Sequence, residues 1–142
     1  MNFSKGRWSQ DWYSVVRSGL VDELLMQVYR YNIRGFKQLV NDRNFKNSRR
    51  YCDLGVVILS GLKNNSRMDA KLISLQTQAA RSKDLTPNYF YYDSLLSPAI
   101  GKETKAQRIS TISSLLKTHQ ENNVSPEVIG IPSSQINFDD LL

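Results

Sequence analysis

The sequence is poor in the residues that most often carry chemistry. It holds one cysteine, Cys52, and one histidine, His119, in 142 residues. A single cysteine excludes an internal disulfide and points to a reducing, intracellular setting, cytoplasmic or nuclear. No cluster of Cys, His or carboxylates has the spacing of a metal site, and no cofactor is implied. A Cys/His nucleophile pair would have to join Cys52 to His119. Cys52 is expected in a central helix, where a lone cysteine behaves as a small hydrophobe. His119 falls where the last helix runs out, a place where imidazole answers the helix dipole. No G-x-S-x-G motif occurs, and "GVVILSG" lacks the Lys-Ser/Thr ending of a phosphate-binding loop. The expectation is a protein that is not an enzyme.

Long apolar runs are also missing. The longest aliphatic run is Val56-Val57-Ile58-Leu59, against the roughly 18 residues that a membrane span needs, so no transmembrane segment is expected. The opening "MNFSKGRWSQDW" has no apolar stretch of a secretory signal. Internal repeats and low-complexity blocks are absent. Residues 119–142 contain no lysine or arginine at all.

What is present is charge, unevenly placed. Residues 1–51 carry ten Lys or Arg against four acids, and residues 52–118 carry nine against five. Residues 119–142 carry only Glu121, Glu127, Asp139 and Asp140. A basic body followed by an acidic end bears on partners rather than on fold.

Helical spacing dominates the apolar pattern. Trp8, Trp12, Val15 and Val16 form one stripe, and Val21, Leu24, Leu25 and Val28 a second. Phe36, Leu39 and Val40 form a third, and Tyr51, Leu54, Ile58 and Leu62 a fourth, apolar on nearly every side as a central helix would be. A buried strand over "GVVIL" competes with that fourth helix; helix is favoured because no second strand offers to pair with it. "SRMD" opens a fifth helix with Ser as cap, carrying Met68, Leu72, Leu75 and Ala79. "DLTPNYFYYDSLLSP" reads as a short helix or a stiff loop. Ala106, Ile109, Ile112 and Leu116 mark a last amphipathic helix. The fold class expected is all-α: a small single-domain bundle of five to seven helices in residues 1–118, followed by a flexible acidic tail over 119–142.

Two sets of contact residues stand out. Arg30, Arg34 and Lys37 fall at i, i+4 and i+7, and Arg43, Lys46, Arg49 and Arg50 follow, interleaved with aromatics. Such residues hold phosphates, and RNA or another single strand is the first ligand expected. The same cations could meet an anionic membrane surface or an acidic protein, and a charged stripe is otherwise simply the wet face of a helix. Tyr29, Phe36 and Tyr51 are expected in the core. The second set is for a protein partner: Tyr89, Phe90, Tyr91 and Tyr92, four consecutive aromatics that no regular element can bury on one side. Phe138, Asp139, Asp140, Leu141 and Leu142 join it, an acidic-apolar string similar to activation-domain segments, clathrin boxes and the acidic tails of single-strand-binding proteins. This string serves as a hook for a partner or as a lid on the basic body. The expectation is a non-catalytic binding protein with a basic face for a polyanion, of the economical kind found among viral or phage accessory proteins. The alternative is a pure protein-interaction module, an adaptor or host-factor antagonist with an acidic partner. Nothing in the sequence fixes an oligomeric state.

Overall fold

A computed structural model describes residues 11–62 and 67–123, with side chains through 117. The elements run α1 (Trp12–Arg17), β1 (Glu23–Val28), α2 (Ile33–Val40), α3 (Arg43–Ser48), β2 (Asp53–Leu59), α4 (Ala70–Arg81), β3 (Thr86–Phe90), α5 (Tyr92–Leu96) and α6 (Lys105–Asn123). The strands form one parallel sheet in the order β1-β2-β3. This is an α/β fold, and the all-α helical bundle expected from the sequence is overturned.

Three strands were hidden for three different reasons. In β1 the inward positions alternate as Leu24 and Met26, partly buried, and Val28, fully buried, while Glu23, Leu25 and Gln27 face outward. Leu25 created the false helical stripe, because it is an apolar residue on the outer side. Its Cδ2 folds over the place that a Cβ on Gly55 would take, and the Thr86 carbonyl lies 3.0 Å from that place, so any larger residue at 55 would push Leu25 aside and crowd β3. β2 is buried on both sides, as the middle strand of a parallel sheet is, and its continuous apolar run has no period to read. β3 contains Pro87, which an edge strand tolerates because one side of its hydrogen-bond ladder is free. The register sets Leu24, Leu54 and Met26, Val56, Pro87 and Val28, Ile58, Tyr89 in three rows across the inner face.

Both crossovers step in the same direction across the sheet, and right-handed connections then place their helices on one face. α2 and α4 accordingly pack together, and α6 packs along α4. Phe36, Val40, Phe45, Ile73, Ala80 and Ile112 close the core against the inner rows. Burying each of the two phenylalanines contributes roughly 1.5–3 kcal/mol. Side-chain caps fix the helix starts: Asn32 accepts from Gly35 N at 2.7 Å, Asp42 from Asn44 N at 2.8 Å, and Asp69 from Leu72 N at 2.8 Å. The cap of α4 is thus Asp69, not Ser66 of the expected "SRMD" box. Among the described residues no helix is long and apolar enough to cross a membrane.

α6 is held by a buried ion pair. Arg108 has no exposed surface; its Nε donates to Leu95 O at 2.7 Å, Nη2 to Ser94 O at 2.6 Å and Nη1 to Met68 O at 2.6 Å. Nη1 also meets Glu103 Oε1 at 2.9 Å. Burial pushes the guanidinium below the usual arginine range, and the Glu103 carboxylate opposes that push. Glu103 accepts in turn from Ala99 N and from Ala70 N, the first residue of α4, both at 2.9 Å. The expected stripe of α6 was therefore rotated: Arg108, Ile112 and Leu115 are the buried positions, while Leu116 is 45% exposed. Arg108→Ala should cost about 3–5 kcal/mol in urea denaturation, because it strands a buried carboxylate. Arg108→Met with Glu103→Gln should lose less than the two single changes added together, a coupling of about 0.5–3 kcal/mol.

Candidate functional site

Open α/β sheets usually take ligands beyond the carboxyl ends of their strands. At that end of this sheet the polar groups are turned on one another. The hydroxyls of Ser60 and Ser94 lie 2.6 Å apart, and both reach the Tyr91 carbonyl at 2.9 Å. Gln76 Nε2 donates to Arg30 O at 2.8 Å, and the Arg30 side chain donates back to Tyr29 O. Of the buried side-chain nitrogen and oxygen atoms among the described residues, only Gln76 Oε1 lacks a partner. These bonds tie β1 to α4 and β2 to α5, which is structural work.

The basic residues lie elsewhere. Arg30 precedes α2 rather than continuing a helix from residue 24, and its Cδ would sit 3.2 Å from a Cβ on Gly35. Arg34 and Lys37 lie on α2, Arg43 and Lys46 on α3, and Arg49 and Arg50 in the turn before β2. All seven are exposed. Among the described residues Arg30, Arg34, Lys37, Arg43, Lys46 and Arg50 take part in no ion pair. Arg49 differs: its guanidinium donates to the carbonyls of Lys83 and Asp84 and pairs with the Asp84 carboxylate at 3.5 Å. Asp84 stands in left-handed backbone at φ 51°, so Arg49 clamps the tight turn that follows α4.

The four aromatics divide. Tyr89 is half-buried, its hydroxyl 3.1 Å from Thr77 Oγ1, and Tyr91 is half-buried; Phe90 and Tyr92 are exposed. Of the residues expected in the core, Phe36 is fully buried and Tyr29 partly, but Tyr51 is 42% exposed. Extending the register by one residue sets Tyr29 beside Leu59, with Phe90 on its other side. The rings of Tyr29 and Phe90 stack at 5.7 Å over Leu59, which is only 1% exposed. Leu25 and Val57 continue this apolar strip across the outer face, edged by Glu23, Gln27 and Asp53. Phe138, Asp139, Asp140, Leu141 and Leu142 lie outside the described residues.

Cys52 sits in the turn between α3 and β2, not in a helix, and its thiol points to Ser48 O at 3.8 Å. Burial, then the neighbouring Asp53 carboxylate, pushes the thiol up, while a backbone hydrogen bond with Leu24 opposes this. His119 lies on α6 beyond the described side chains. Among the described residues no three His, Cys, Asp or Glu converge on one point.

Among the described residues, cavities open on the surface at two places of note. One of about 650 Å³ lies between α4 and the start of α6, lined by Asp69, Lys71, Ser74, Lys102 and Gln107. The other, about 290 Å³, lies at the amino ends of the strands. Its walls are Val40, Phe45, Leu54 and Leu85, and its rim is Lys46, Arg49 and Lys83. Lys83 was missed in the sequence because nothing in "ARSKDL" signals that the turn after α4 comes round to α3.

No protein-family model matches this chain, and no match was found among curated proteins or among solved structures. The geometry alone therefore carries the functional reading. For the thiol the expectation is direct: with its pKa raised, Cys52 should alkylate with iodoacetamide more slowly than a free cysteine at neutral pH. The rate should climb with pH along a curve displaced to higher pH than that of a short Cys peptide.

Proposed function

We propose that this chain is a non-catalytic binding protein whose α2–α3 surface holds a polyanion, with single-stranded RNA the first candidate. The observation that supports the reading is the set of exposed cations from Arg30 to Arg50, six of which have no carboxylate partner among the described residues. A solvated helix face usually mixes both signs in i, i+3 and i, i+4 pairs. Here α2 and α3 carry no acid at all (IRGFKQLV and RNFKNS), and the acid between them, Asp42, is spent on capping α3. Unneutralised charge of one sign attracts phosphate and releases its counterions, a term that needs no base-reading motif.

A second reading has its own support. All-parallel sheets are normally covered on both faces, and right-handed crossovers put the connecting helices of this sheet on one of them. The outer strip leaves Leu25 41% and Phe90 44% exposed. A protein partner that covers this strip would make the chain an adaptor, and the basic surface would then match an acidic neighbour.

Fluorescence anisotropy with a short labelled oligouridylate separates the two. On the first reading binding falls steeply with salt, and Arg34→Gln, Lys37→Gln and Arg43→Gln together lower the slope of log K against log salt by about 2, at roughly 0.7 per phosphate contact. These three are chosen because none is tied to the fold, whereas Arg49 clamps the turn at Asp84. No binding at about 50 mM salt, or a slope unmoved by the triple change, would overturn the polyanion reading.

A further inference from the structure

We infer that the cavity at the amino ends of the strands holds the segment 136–142, "INFDDLL", of the same chain: an apolar side chain on its floor, Asp139 or Asp140 on its rim. Three observations converge on that occupant. The first is chemistry. The floor is closed by Val40, Phe45, Leu54 and Leu85, all buried, and the rim is cationic at Lys46, Arg49 and Lys83. An apolar floor with a basic rim suits an acidic-apolar peptide, and Phe138, Leu141 and Leu142 beside two aspartates supply one. At about 290 Å³ the cavity lies near the lower bound for ligand pockets and fits one or two side chains.

The second is position. Arg81, the last residue of α4, donates from Nη2 to Leu115 O at 2.7 Å. Lys83 on the cavity rim is two residues further along, so α6 reaches the cavity's end of the molecule. From Leu115 the helix runs on to Asn123, about 12 Å. The 12 residues 124–135 can span up to about 40 Å. The segment thus starts from the right end of the sheet with ample reach. A tether of this length gives about millimolar effective concentration, so a free-peptide Kd of about 0.1 mM leaves the site mostly filled.

The third is electrostatic choice. The other apolar surface, the outer face of the sheet, is edged by Glu23 and Asp53, and it repels an acidic segment. Among the described residues the carboxylate paired with the cavity rim is Asp84, 90% exposed and 3.5 Å from Arg49. Contacts this open are worth little, and a closer aspartate displaces them.

The test uses the full chain and does not rest on RNA binding. Methyl NMR should show Val40, Leu54 and Leu85 shifting when Phe138, Leu141 and Leu142 are together changed to Ser, at every protein concentration, with circular dichroism unchanged. Amide exchange of 136–142 should be slowed about tenfold relative to Lys46→Glu/Lys83→Glu. Adding Asp139→Lys/Asp140→Lys to that rim variant should restore the protection. Silence of the three floor methyls, or a response at Leu25 and Val57 instead, would overturn the assignment. So would shifts that grow with concentration, since the segment would then enter a second copy.

Discussion

Arg108 and Glu103 form the joint on which the helical layer depends. The guanidinium takes the carbonyls of Ser94 and Leu95 at the end of α5, and the Met68 carbonyl ahead of α4. The carboxylate takes the first amide of α4 and the amide of Ala99. Helix ends leave such groups without partners, and here one ion pair supplies several at once. The signs also agree with the helix dipoles, a cation at the carboxyl end of α5 and an anion at the amino end of α4. A buried pair is not in itself a large source of stability. Its value is positional, because it sets α6 alongside α4 and sends the chain out at the end of the sheet where Lys83 and Arg49 lie.

The same pair shows why the sequence was only partly legible. A basic residue on the wet side of a helix is the default expectation, so the stripe expected for α6 left Arg108 out and turned away from the true buried face. Leu25 misled in the opposite sense, an apolar side chain on the outer side of β1, folded over Gly55. Pro87 and the continuous run of β2 removed the two remaining signs of strand. Each of these residues has a neighbour far away in the chain that explains it: Met68 and Ser94 for Arg108, Gly55 for Leu25, Val56 for Pro87. Local features survived better. The helix carrying Leu72, Leu75 and Ala79, the short helix carrying Phe36, Leu39 and Val40, the exposure of the cations from Arg30 to Arg50 and the exposure of part of the run of four aromatics all follow from nearest neighbours in sequence.

Of the candidate residues, the cations were legible one by one but not as a surface. A continuous helix would have lined up Arg30, Arg34 and Lys37; the fold instead breaks the chain after Val28, lays Arg30 against the first turn of α2 and carries the rest round α3. The change matters for chemistry. A stripe on one helix presents charge along a line, whereas two short helices joined at Asn41 and Asp42 present it around a corner that ends at the cavity rim. Lys46 and Arg49 therefore belong both to the cationic surface and to the apolar pocket.

That shared membership links the two proposals through charge alone. A phosphate chain on α2 and α3 and a carboxylate pair at the rim would draw on the same field, and a Debye length of about 8–10 Å covers much of such a surface. If 136–142 occupies the cavity, its aspartates lower the potential felt by a phosphate nearby, and a bound polyanion weakens the hold on the aspartates by the same free energy, since linkage is reciprocal. The apolar floor then decides the balance. Salt weakens both charged contacts, but Phe138 or Leu141 against Val40 and Phe45 is indifferent to salt. Rising ionic strength should thus favour the segment over the polyanion. The consequence runs opposite to what a purely electrostatic lid would do.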